Sequence, residues 1–376
     1  MKMEYDTHNI TKLSDFDINE LNNWLAARGF DERASPIPAY RGKQILKWIG
    51  RGVQAFDDMT TLPRELRKSL AANAIIGMPE IIAEMRSPND GTIKFGMKTH
   101  DNCVVETVLM RYKHGCSICV SSQAGCRRGC AFCATDPGSF ARSLSPGEMF
   151  GQVAVIAKLL GGRGPKKRNP ADFGISGKNE LRSISNIVVM GIGEPFDNYD
   201  NTLKFIKLLH DNEETNYSYR RVTISTCGVL PGILRLAEEG LPIGLAVSLH
   251  AADDITRSTI MPVNHRYSID KLIEGCKIYT CKTNRRVTFE YALIDGVNDA
   301  PDDAKALLRK VRGMLCHINL IPVNMLENTG FAPSSRERIM RFADILSKAG
   351  AQMTVRRELG TDIMAACGQL RNSIAE

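Results

Sequence analysis

Three cysteines lie close together in one short stretch of the chain, at C-x₃-C-x₂-C spacing: Cys126, Cys130 and Cys133. A structural zinc ion usually takes four protein ligands, arranged as two separated pairs. A four-iron cluster also has four corners, usually held by thiolates, so three cysteines leave one iron open to bind a small molecule. The spacing therefore favours an iron–sulfur cluster with one open iron. The alternatives are a zinc site that takes Cys119 as its fourth ligand, or three unrelated core cysteines.

The composition is that of a globular protein of about two domains. The 376 residues are 43% hydrophobic and 24% charged, and the net charge of +7 is compatible with an anionic partner. Eleven cysteines in a chain of this length do not indicate a disulfide scaffold. No apolar run approaches the ~18 residues of a membrane span, and the first residues lack the apolar core of a signal peptide. We therefore expect a cytoplasmic protein with free thiols and no membrane association.

The beginning of the chain is predicted to form small helices, and we place an N-terminal helical RNA-binding accessory domain at residues 1–75. Residues 1–39 contain four basic and seven acidic residues, whereas residues 40–70 contain seven basic and three acidic residues together with Trp48. The seven cations are Arg41, Lys43, Lys47, Arg51, Arg64, Arg67 and Lys68. Such a block suits contact with a nucleic-acid backbone. A solvated helix face with a buried tryptophan accounts for the same pattern equally well.

A β-hairpin is predicted at residues 91–113, and apolar strands and helices alternate after it. The predicted strands are 116–122, 186–191, 221–226, 244–250, 286–294 and 317–323, with a possible further strand at 352–357. The predicted helices are 146–160, 201–210, 230–239, 269–279 and 301–314. This alternation implies a parallel sheet, and six such units fit an α/β fold with an incomplete (β/α)₆ barrel better than a full barrel of eight.

The predicted barrel occupies residues 90–345, with the hairpin as an extension, and residues 346–376 form a C-terminal segment. Active sites of such barrels lie at the carboxyl ends of the strands. The cysteine stretch follows the first barrel strand, so it is expected at that end. A loop rich in glycine, proline and charge at residues 161–183 interrupts the pattern, and it is either an RNA-contacting loop or a plain surface insertion.

Several candidate binding residues directly follow predicted strands. Gly193 and Glu194 follow the second strand, where a glycine lets the backbone approach a ligand and the carboxylate can accept a hydrogen bond from an ammonium group. Further positions at the ends of the third, fourth and sixth strands are Ser225, Ser248, Leu249, His250 and Asn324. Each alone is more often a turn or cap residue. Because they all occupy corresponding positions at strand ends, together they favour a shared cofactor cleft.

Two more cysteines lie in stretches of interest. Cys119 is inside the first predicted barrel strand, and Cys367 lies near the C-terminus. A lone cysteine with apolar neighbours is usually a buried, inert thiol. From the residue type alone, that interpretation is the more common one for both.

Five stretches of the sequence resemble one known family. They are SSQAGC (121–126), MGIGEP (190–195), RVTIST (221–226), SLH (248–250) and DIMAACGQL (362–370). With Phe132 before the third clustered cysteine, they resemble the RlmN family of the radical S-adenosylmethionine (SAM) superfamily, from about residue 40 to residue 372. The resemblance implies a radical SAM methyltransferase that acts on C2 of adenine 2503 in 23S rRNA, in the peptidyl transferase centre, and of adenine 37 in some tRNAs.

The resemblance also implies roles for individual residues. The three clustered cysteines hold a [4Fe-4S] cluster, and two SAM molecules are used per turnover. One SAM methylates Cys367, and the other yields a 5′-deoxyadenosyl radical that takes a hydrogen atom from that methyl group, so that a carbon radical adds to C2. Glu106 accepts the C2 proton, and Cys119 resolves the adduct by forming a transient disulfide with Cys367. The positions that match SAM-binding residues are Gly193, Glu194, Ser225, Ser248, Leu249, His250 and Asn324.

The implied partners are 23S rRNA before full ribosome assembly, tRNA, and an electron donor such as flavodoxin or ferredoxin, and we expect a monomer. One alternative is the related Cfr family, which methylates C8 of the same rRNA adenine and confers antibiotic resistance. The N-terminal module of that family is shorter, so the roughly 100 residues before Glu106 favour the C2 enzyme. A second alternative, of a different class, is a non-catalytic zinc-binding RNA protein.

Overall fold

The computed structural model describes residues 10–28, 40–112, 115–161, 184–323, 330–357 and 359–370. Three helices come first: α1 (Ile18–Arg28), α2 (Tyr40–Gly50) and α3 (Arg64–Asn73). They confirm the helical beginning that the sequence predicts. Within the described part of the chain, no helix is long and apolar enough to cross a membrane.

Ten strands then form one mixed sheet, and two short strands form a separate pair. The ten are β1 (Glu80–Arg86), β2 (Ile93–Lys98), β3 (Val104–Tyr112), β4 (Gly115–Cys119), β7 (Ile184–Val189), β8 (Val222–Thr226), β9 (Gly244–Ser248), β10 (Val287–Leu293), β11 (Cys316–Pro322) and β12 (Met353–Val355). The separate pair is β5 (Gln123–Ala124) and β6 (Arg142–Ser143). The helices after the hairpin are α4 (Pro146–Gly161), α5 (Tyr199–Asp211), α6 (Leu230–Glu238), α7 (Asp254–Ile260), α8 (Ile269–Thr283), α9 (Pro301–Val311) and α10 (Arg336–Lys348).

The sheet has the order β1-β2-β3-β4-β7-β8-β9-β10-β11-β12. The first four strands pair antiparallel, and every pair from β4 to β12 is parallel. Strands β1 and β12 are the two edges, so the strands of the described residues form an open sheet and not a closed barrel. This confirms the incomplete α/β barrel with a hairpin extension. Strand β1 and helices α7 and α10 are elements that the sequence pattern did not predict.

Helix α4 connects the N-terminal helices to the sheet. It is buried on nearly all sides, including at Gly147 and Gly151. A Cβ at Gly147 would lie 2.0 Å from the Ser14 hydroxyl oxygen, and one at Gly151 would lie 2.5 Å from Pro79 Cδ. These glycines therefore allow the N-terminal region to pack directly on α4, and its apolar side chains join the same hydrophobic core as those of the sheet. The division into segments 1–75, 90–345 and 346–376 stays a prediction.

A network of ion pairs joins the hairpin, β6, α4 and the N-terminal region. Arg142 donates to both carboxylate oxygens of Asp101, at 2.6 Å, and to both of Glu148, at 2.8 and 2.9 Å. Lys12 also donates to Glu148, at 2.7 Å. The hydrogen bonds and charge of Arg142 hold the pKa of Asp101 well below its usual range. Burial alone would raise the pKa of Glu148, but Arg142 and Lys12 lower it overall.

These lowered pKa values predict acid sensitivity of the folded state. In acid, the carboxylates of the unfolded chain take up protons at a higher pH than the same carboxylates in the folded protein. The ion pairs therefore contribute their full stability above the unfolded pKa values, which are about 4. This contribution is lost as the pH falls from there through the lower pKa values of the folded state. We expect the free energy of unfolding, measured with urea, to fall steeply below about pH 4. Arg142→Met should cost about 3 kcal/mol at pH 7 and weaken this acid dependence. Arg309→Met, at an exposed position on α9, is the control, and an equal loss there would contradict the assignment.

Candidate active site

A cavity of about 220 Å³ opens at the carboxyl ends of the parallel strands. Most of the residues that the sequence singled out line it: Cys119, Cys126, Cys130, Cys133, Gly193, Glu194, Ser225, Ser248, His250 and Cys367. Leu249 is fully buried beside it. Asn324 and the loop at 162–183 lie outside the described residues. The fold thus brings residues from the beginning, middle and end of the barrel sequence to one place.

The cysteine stretch forms a loop between β5 and β6. Gly125 has φ of +78°, and a Cβ there would lie 2.1 Å from the Ser139 carbonyl oxygen, so the loop closes only with glycine at this position. Ala131 N donates to Ile260 O at 2.9 Å, which ties the loop to the end of α7. The three thiols are half-buried and face the cavity.

The distances between the three cysteine sulfur atoms indicate whether they suit a single zinc ion or an iron–sulfur cluster. Among the residues that the structure describes, only His100, Asp101 and Glu148 bring three possible ligand atoms within 4.8 Å of one another. Those three belong to the ion-pair network of Arg142. At least one pair of the clustered cysteine sulfurs is therefore more than 4.8 Å apart, whereas the ligands of a single zinc ion lie about 3.8 Å apart when each bond is about 2.3 Å. A cluster that binds each thiolate on a different iron fits this wider arrangement.

Glu194 is fixed by backbone N–H groups at the edge of the cavity. Its carboxylate oxygens accept hydrogen bonds from Phe196 N at 3.0 Å and Cys227 N at 2.7 Å. Burial raises the pKa of this carboxyl group, and the backbone donors oppose the shift. Gly193, with φ of +107°, packs so close to Gln123 that a Cβ would lie 2.6 Å from the Gln123 Cβ. The close packing at Gly193 and the two backbone donors thus hold the carboxylate at the wall of the cavity.

The ends of β8 and β9 are joined by a buried guanidinium that sequence reasoning missed. Arg257 is 0% exposed and donates to the carbonyls of Cys227, Ser248 and Leu249 at 2.8 to 3.1 Å. An arginine inside a short helix looks like an ordinary surface residue in the sequence, so no local signal reveals these contacts. The guanidinium fixes the backbone that carries Ser248 and His250.

His250 is a neutral hydrogen-bond acceptor in this site. Its Nδ1 accepts from Ala292 N at 2.9 Å, which places the ring proton on Nε2. Burial lowers the pKa of His250 to about 3, and the charge of Arg257 adds to the shift. The ring of Phe132 meets the imidazole edge-on, with ring centroids 4.7 Å apart. The residue has φ of +56°, a conformation that non-glycine residues adopt rarely and often at functional sites.

Cys119 and Cys367 line the same cavity from two directions. Cys119 ends β4, while Cys367 lies in the segment 359–370, which packs on Val108, Met110 and Cys119. Burial raises the pKa of Cys119 to about 12, and the neighbouring Cys367 adds to this effect, whereas Arg356 opposes it. Both cysteines are free thiols.

Arg356 and Glu290 are two further charged residues of the cavity that the sequence analysis missed. Arg356 directly follows β12, and the neighbouring Cys367 raises its pKa most, although burial opposes this. Burial raises the pKa of Glu290, which accepts a hydrogen bond from Asn319 Nδ2 at 2.7 Å. Arg356 follows the carboxyl end of its strand, like the motifs that were found, whereas Glu290 lies in the middle of β10. Extending the strand-end search to β12 would have identified Arg356 but not Glu290.

Glu106 lies next to the cavity without lining it. It is 0% exposed in β3, and its Oε1 lies 3.3 Å from the ammonium nitrogen of Lys94. Val108 and Met110, on the same face of β3, do line the cavity. The carboxylate is therefore close behind the wall on which the Cys367 segment packs, and its role as proton acceptor stays a prediction.

Comparison with known proteins identifies the family. The profile "Radical SAM superfamily" matches residues 120–309, and "Ribosomal RNA large subunit methyltransferase N-terminal domain" matches residues 11–76. A protein of Clostridium beijerinckii named "Probable dual-specificity RNA methyltransferase RlmN" is 44% identical over 364 residues, covering 97% of this chain and 96% of that protein. Its namesake in Clostridium tetani is 43% identical over 363 residues, covering 96% of each chain.

A solved structure agrees with these relatives in both fold and sequence. The crystal structure of a radical SAM methyltransferase from Sphaerobacter thermophilus superposes with a TM-score of 0.86 and 43% identity, covering 96% of this chain and 100% of that one. The cysteine loop and the strand-end positions from Gly193 to His250 fall inside residues 120–309, and the N-terminal helices fall inside residues 11–76. The chain therefore belongs to the RlmN family of radical SAM RNA methyltransferases.

Proposed function

We propose that this enzyme methylates C2 of adenine 2503 in 23S rRNA and of adenine 37 in some tRNAs, through a methylated cysteine and a transient disulfide. The observation that carries the proposal is that Cys119 and Cys367 face one cavity together with the three clustered cysteines. C2 of adenine is electrophilic and does not attack the methyl group of SAM, so the carbon has to be delivered by another route. A thiol that carries the carbon and a second thiol that releases the product supply that route. An RNA substrate and free thiols both suit the reducing cytoplasm.

The residues at the strand ends are suited to hold the cofactors. Cys126, Cys130 and Cys133 hold the [4Fe-4S] cluster, and the fixed carboxylate of Glu194 accepts from the ammonium group of SAM. Gly193, Ser225, Ser248, Leu249, His250 and Asn324 complete the proposed SAM site. When bound, the cluster and SAM supply a 5′-deoxyadenosyl radical that can remove a hydrogen atom from a methyl group. The wider spread of the sulfurs, described above, supports the cluster over a single zinc ion.

Cys367 is the proposed methyl carrier and Cys119 the resolving thiol. A thiol attacks as its thiolate, and burial keeps Cys119 protonated at neutral pH, since its pKa is raised to about 12. Arg356 is the cation near both thiols that opposes this shift. We therefore expect Cys119 to become nucleophilic only when the substrate and cofactors are bound and a proton acceptor lies near its thiol.

Replacing the resolving thiol tests this assignment. In the Cys119→Ala variant, methyl transfer can begin but the RNA cannot be released, so we expect a covalent protein–RNA adduct through Cys367. Denaturing gels and mass spectrometry of the cross-linked peptide detect it. Cys116→Ala, which removes another buried cysteine of β4 outside the cavity, is the matched control and should turn over normally. Free product with normal turnover by Cys119→Ala would refute the role. Mass spectrometry of wild-type product also distinguishes C2 from the C8 alternative.

Removal of one clustered cysteine tests the cluster ligands. Cys130→Ala should lose most of its iron and sulfide and the visible absorption of the cluster after anaerobic purification, because two thiolates hold the cluster poorly. Cys281→Ala, at an exposed cysteine, should keep about four iron atoms per chain. Retention of iron by Cys130→Ala, or one zinc without iron in the wild type, would contradict the assignment.

The N-terminal helices are proposed to contact RNA, although part of their basic block serves the fold. Lys47 and Arg51 pair with Glu214, at 3.7 and 3.0 Å, and Arg67 donates to the Asp57 carbonyl at 2.7 Å. These contacts reduce the set of cations that can face a phosphate backbone. Lys43 and Arg64 are exposed, and the ion pairs found among the described residues include neither.

Charge reversal at these two positions tests the RNA contact in the intact protein. The Lys43→Glu/Arg64→Glu variant should bind RNA more weakly for all sequences, and the slope of log affinity against log salt should fall by about 2, one for each lost phosphate contact. Lys305→Glu, an exposed lysine on α9, is the control. Unchanged affinity and salt slope for the double variant would show that RNA binds elsewhere. Deleting the helices is a poorer test, because they share the hydrophobic core of the sheet.

A further inference from the structure

Lys94 in β2 is a buried cation to which the roles above assign no part. Its side chain is 1% exposed, and lysine is almost never buried to this degree unless it is paired. Its ammonium nitrogen lies 3.3 Å from the Glu106 carboxylate and 3.3 Å from the carbonyl oxygen of Met364. One ammonium group therefore contacts both the proposed proton acceptor and the segment that carries Cys367.

The strand register explains how the lysine reaches both partners. In the antiparallel pair β2–β3, Lys94 is opposite Val108, and Glu106 is opposite Gly96. Residues opposite one another share a face of the sheet, and so do residues two apart in one strand. Gly96 has no side chain, so the diagonal from Lys94 to Glu106 is open. The pair thus lies on the face whose Val108 forms part of the cavity wall.

The turn between β1 and β2 holds the Cys367 segment at several further points. Gly360 N donates to the Asp90 carboxylate at 2.7 Å, and the Asp362 carboxylate accepts from Ser87 Oγ at 3.0 Å and Asn89 Nδ2 at 3.1 Å. These contacts anchor the beginning of the segment at the β1–β2 turn. Lys94 contacts it at Met364, three residues before Cys367. Unlike the contacts from the turn, the Lys94 contact also involves a residue of the proposed chemistry, Glu106.

We propose that Lys94 is a positioning residue for the reaction, which holds the Glu106 carboxylate and the Cys367 segment in one fixed relation. This inference rests on the proposed function. A proton acceptor works only within hydrogen-bond reach of the proton it takes. The adduct formed by radical addition at C2 first gives its unpaired electron to a one-electron acceptor, the role that the [4Fe-4S] cluster would fill. The C–H bond at C2 then breaks, its electron pair stays in the ring, and the proton forms an O–H bond on Glu106. The carboxylate then loses its charge, and the ammonium group keeps its contact with the Met364 carbonyl.

A purely structural role would have a different consequence. If Lys94 only neutralised a buried carboxylate, its loss would lower stability as the loss of any such pair does. It would not change how Cys367 is held. Lys12 supplies the matched comparison, since its ammonium lies 2.7 Å from Glu148, a carboxylate with 1% exposure. Among the described residues, the side-chain hydrogen bonds of the Cys367 segment involve neither Lys12 nor Glu148.

The first test measures the reactivity of Cys367 in the intact holoenzyme without turnover. Lys94→Met and Lys12→Met are treated with iodoacetamide under anaerobic conditions, and modification of the Cys367 peptide is followed by mass spectrometry. We expect the rate at Cys367 to rise about tenfold in Lys94→Met, the factor that corresponds to losing a hydrogen bond from a charged donor. It should stay at the wild-type rate in Lys12→Met, and Lys94→Arg should restore most of the protection.

The second test measures proton removal. RNA with deuterium at C2 of the target adenine should show a primary isotope effect on product formation in Lys94→Met, because transfer to a displaced Glu106 becomes slow. The effect should be smaller in the wild type and in Lys12→Met. If Lys94→Met does not fold, Lys94→Met/Glu106→Gln removes the unpaired buried charge, and the faster alkylation of Cys367 is still expected from the lost Met364 contact.

Equal alkylation of Cys367 in the Lys94 and Lys12 variants, or in the double variant and the wild type, would overturn the proposal. So would an isotope effect that is the same in all three proteins. Failure of the proposed function is seen separately, as absence of C2 methylation by the wild type. The alkylation result can be read in either case, since it requires no turnover.

Discussion

Two hydrogen bonds between segments that are far apart in the sequence hold the Cys367 segment against the cysteine loop. Ala134 N donates to Gly368 O at 2.6 Å, and Thr135 Oγ1 donates to Leu370 O at 2.7 Å. Both donors directly follow the third clustered cysteine, so these bonds bring the C-terminal segment against the cysteine loop. A buried polar group without a partner costs about 1–3 kcal/mol. The docked position is therefore favoured, and it places Cys367 and Leu370 in the lining of the cavity.

The low polarity of the cavity determines the charge state of its groups. Burial keeps His250 neutral, lowering its pKa to about 3, and it raises the pKa of Cys119 to about 12. A protonated thiol reacts slowly with electrophiles and oxidants. In the proposed mechanism, burial would thus protect Cys119 until the adduct and a proton acceptor are in place. Arg356 acts in the opposite direction, and its charge is strong here because little water screens it.

Much of the barrel could be predicted from the sequence, because its parallel strands are apolar runs bounded by turn residues and its site motifs stand at their ends. Strand β1 escaped prediction because it is an edge strand with mostly half-exposed or exposed residues. Lys94 and Arg257 escaped because one lysine in a strand and one arginine in a helix look solvent-exposed. The pairing of Lys47 and Arg51 with Glu214 is a contact across more than 160 residues of chain. Partners at such distances follow from tertiary packing and leave no local signal.

The proposed chemistry explains why the methyl carrier belongs on a terminal segment and the resolving thiol on a strand. Cys367 has to meet a methyl donor, a hydrogen-abstracting radical and a base in turn, whereas Cys119 acts once and at one place. Cys119 ends β4, which is held by ladder hydrogen bonds to β3 and β7. The segment 359–370 is not paired with a strand of the sheet and is held by a few side-chain and turn hydrogen bonds. Such a segment opens at a lower free-energy cost than a central strand. Each of these contacts therefore helps to hold Cys367 at the cavity, and the contact of Lys94 links that position to the carboxylate of Glu106.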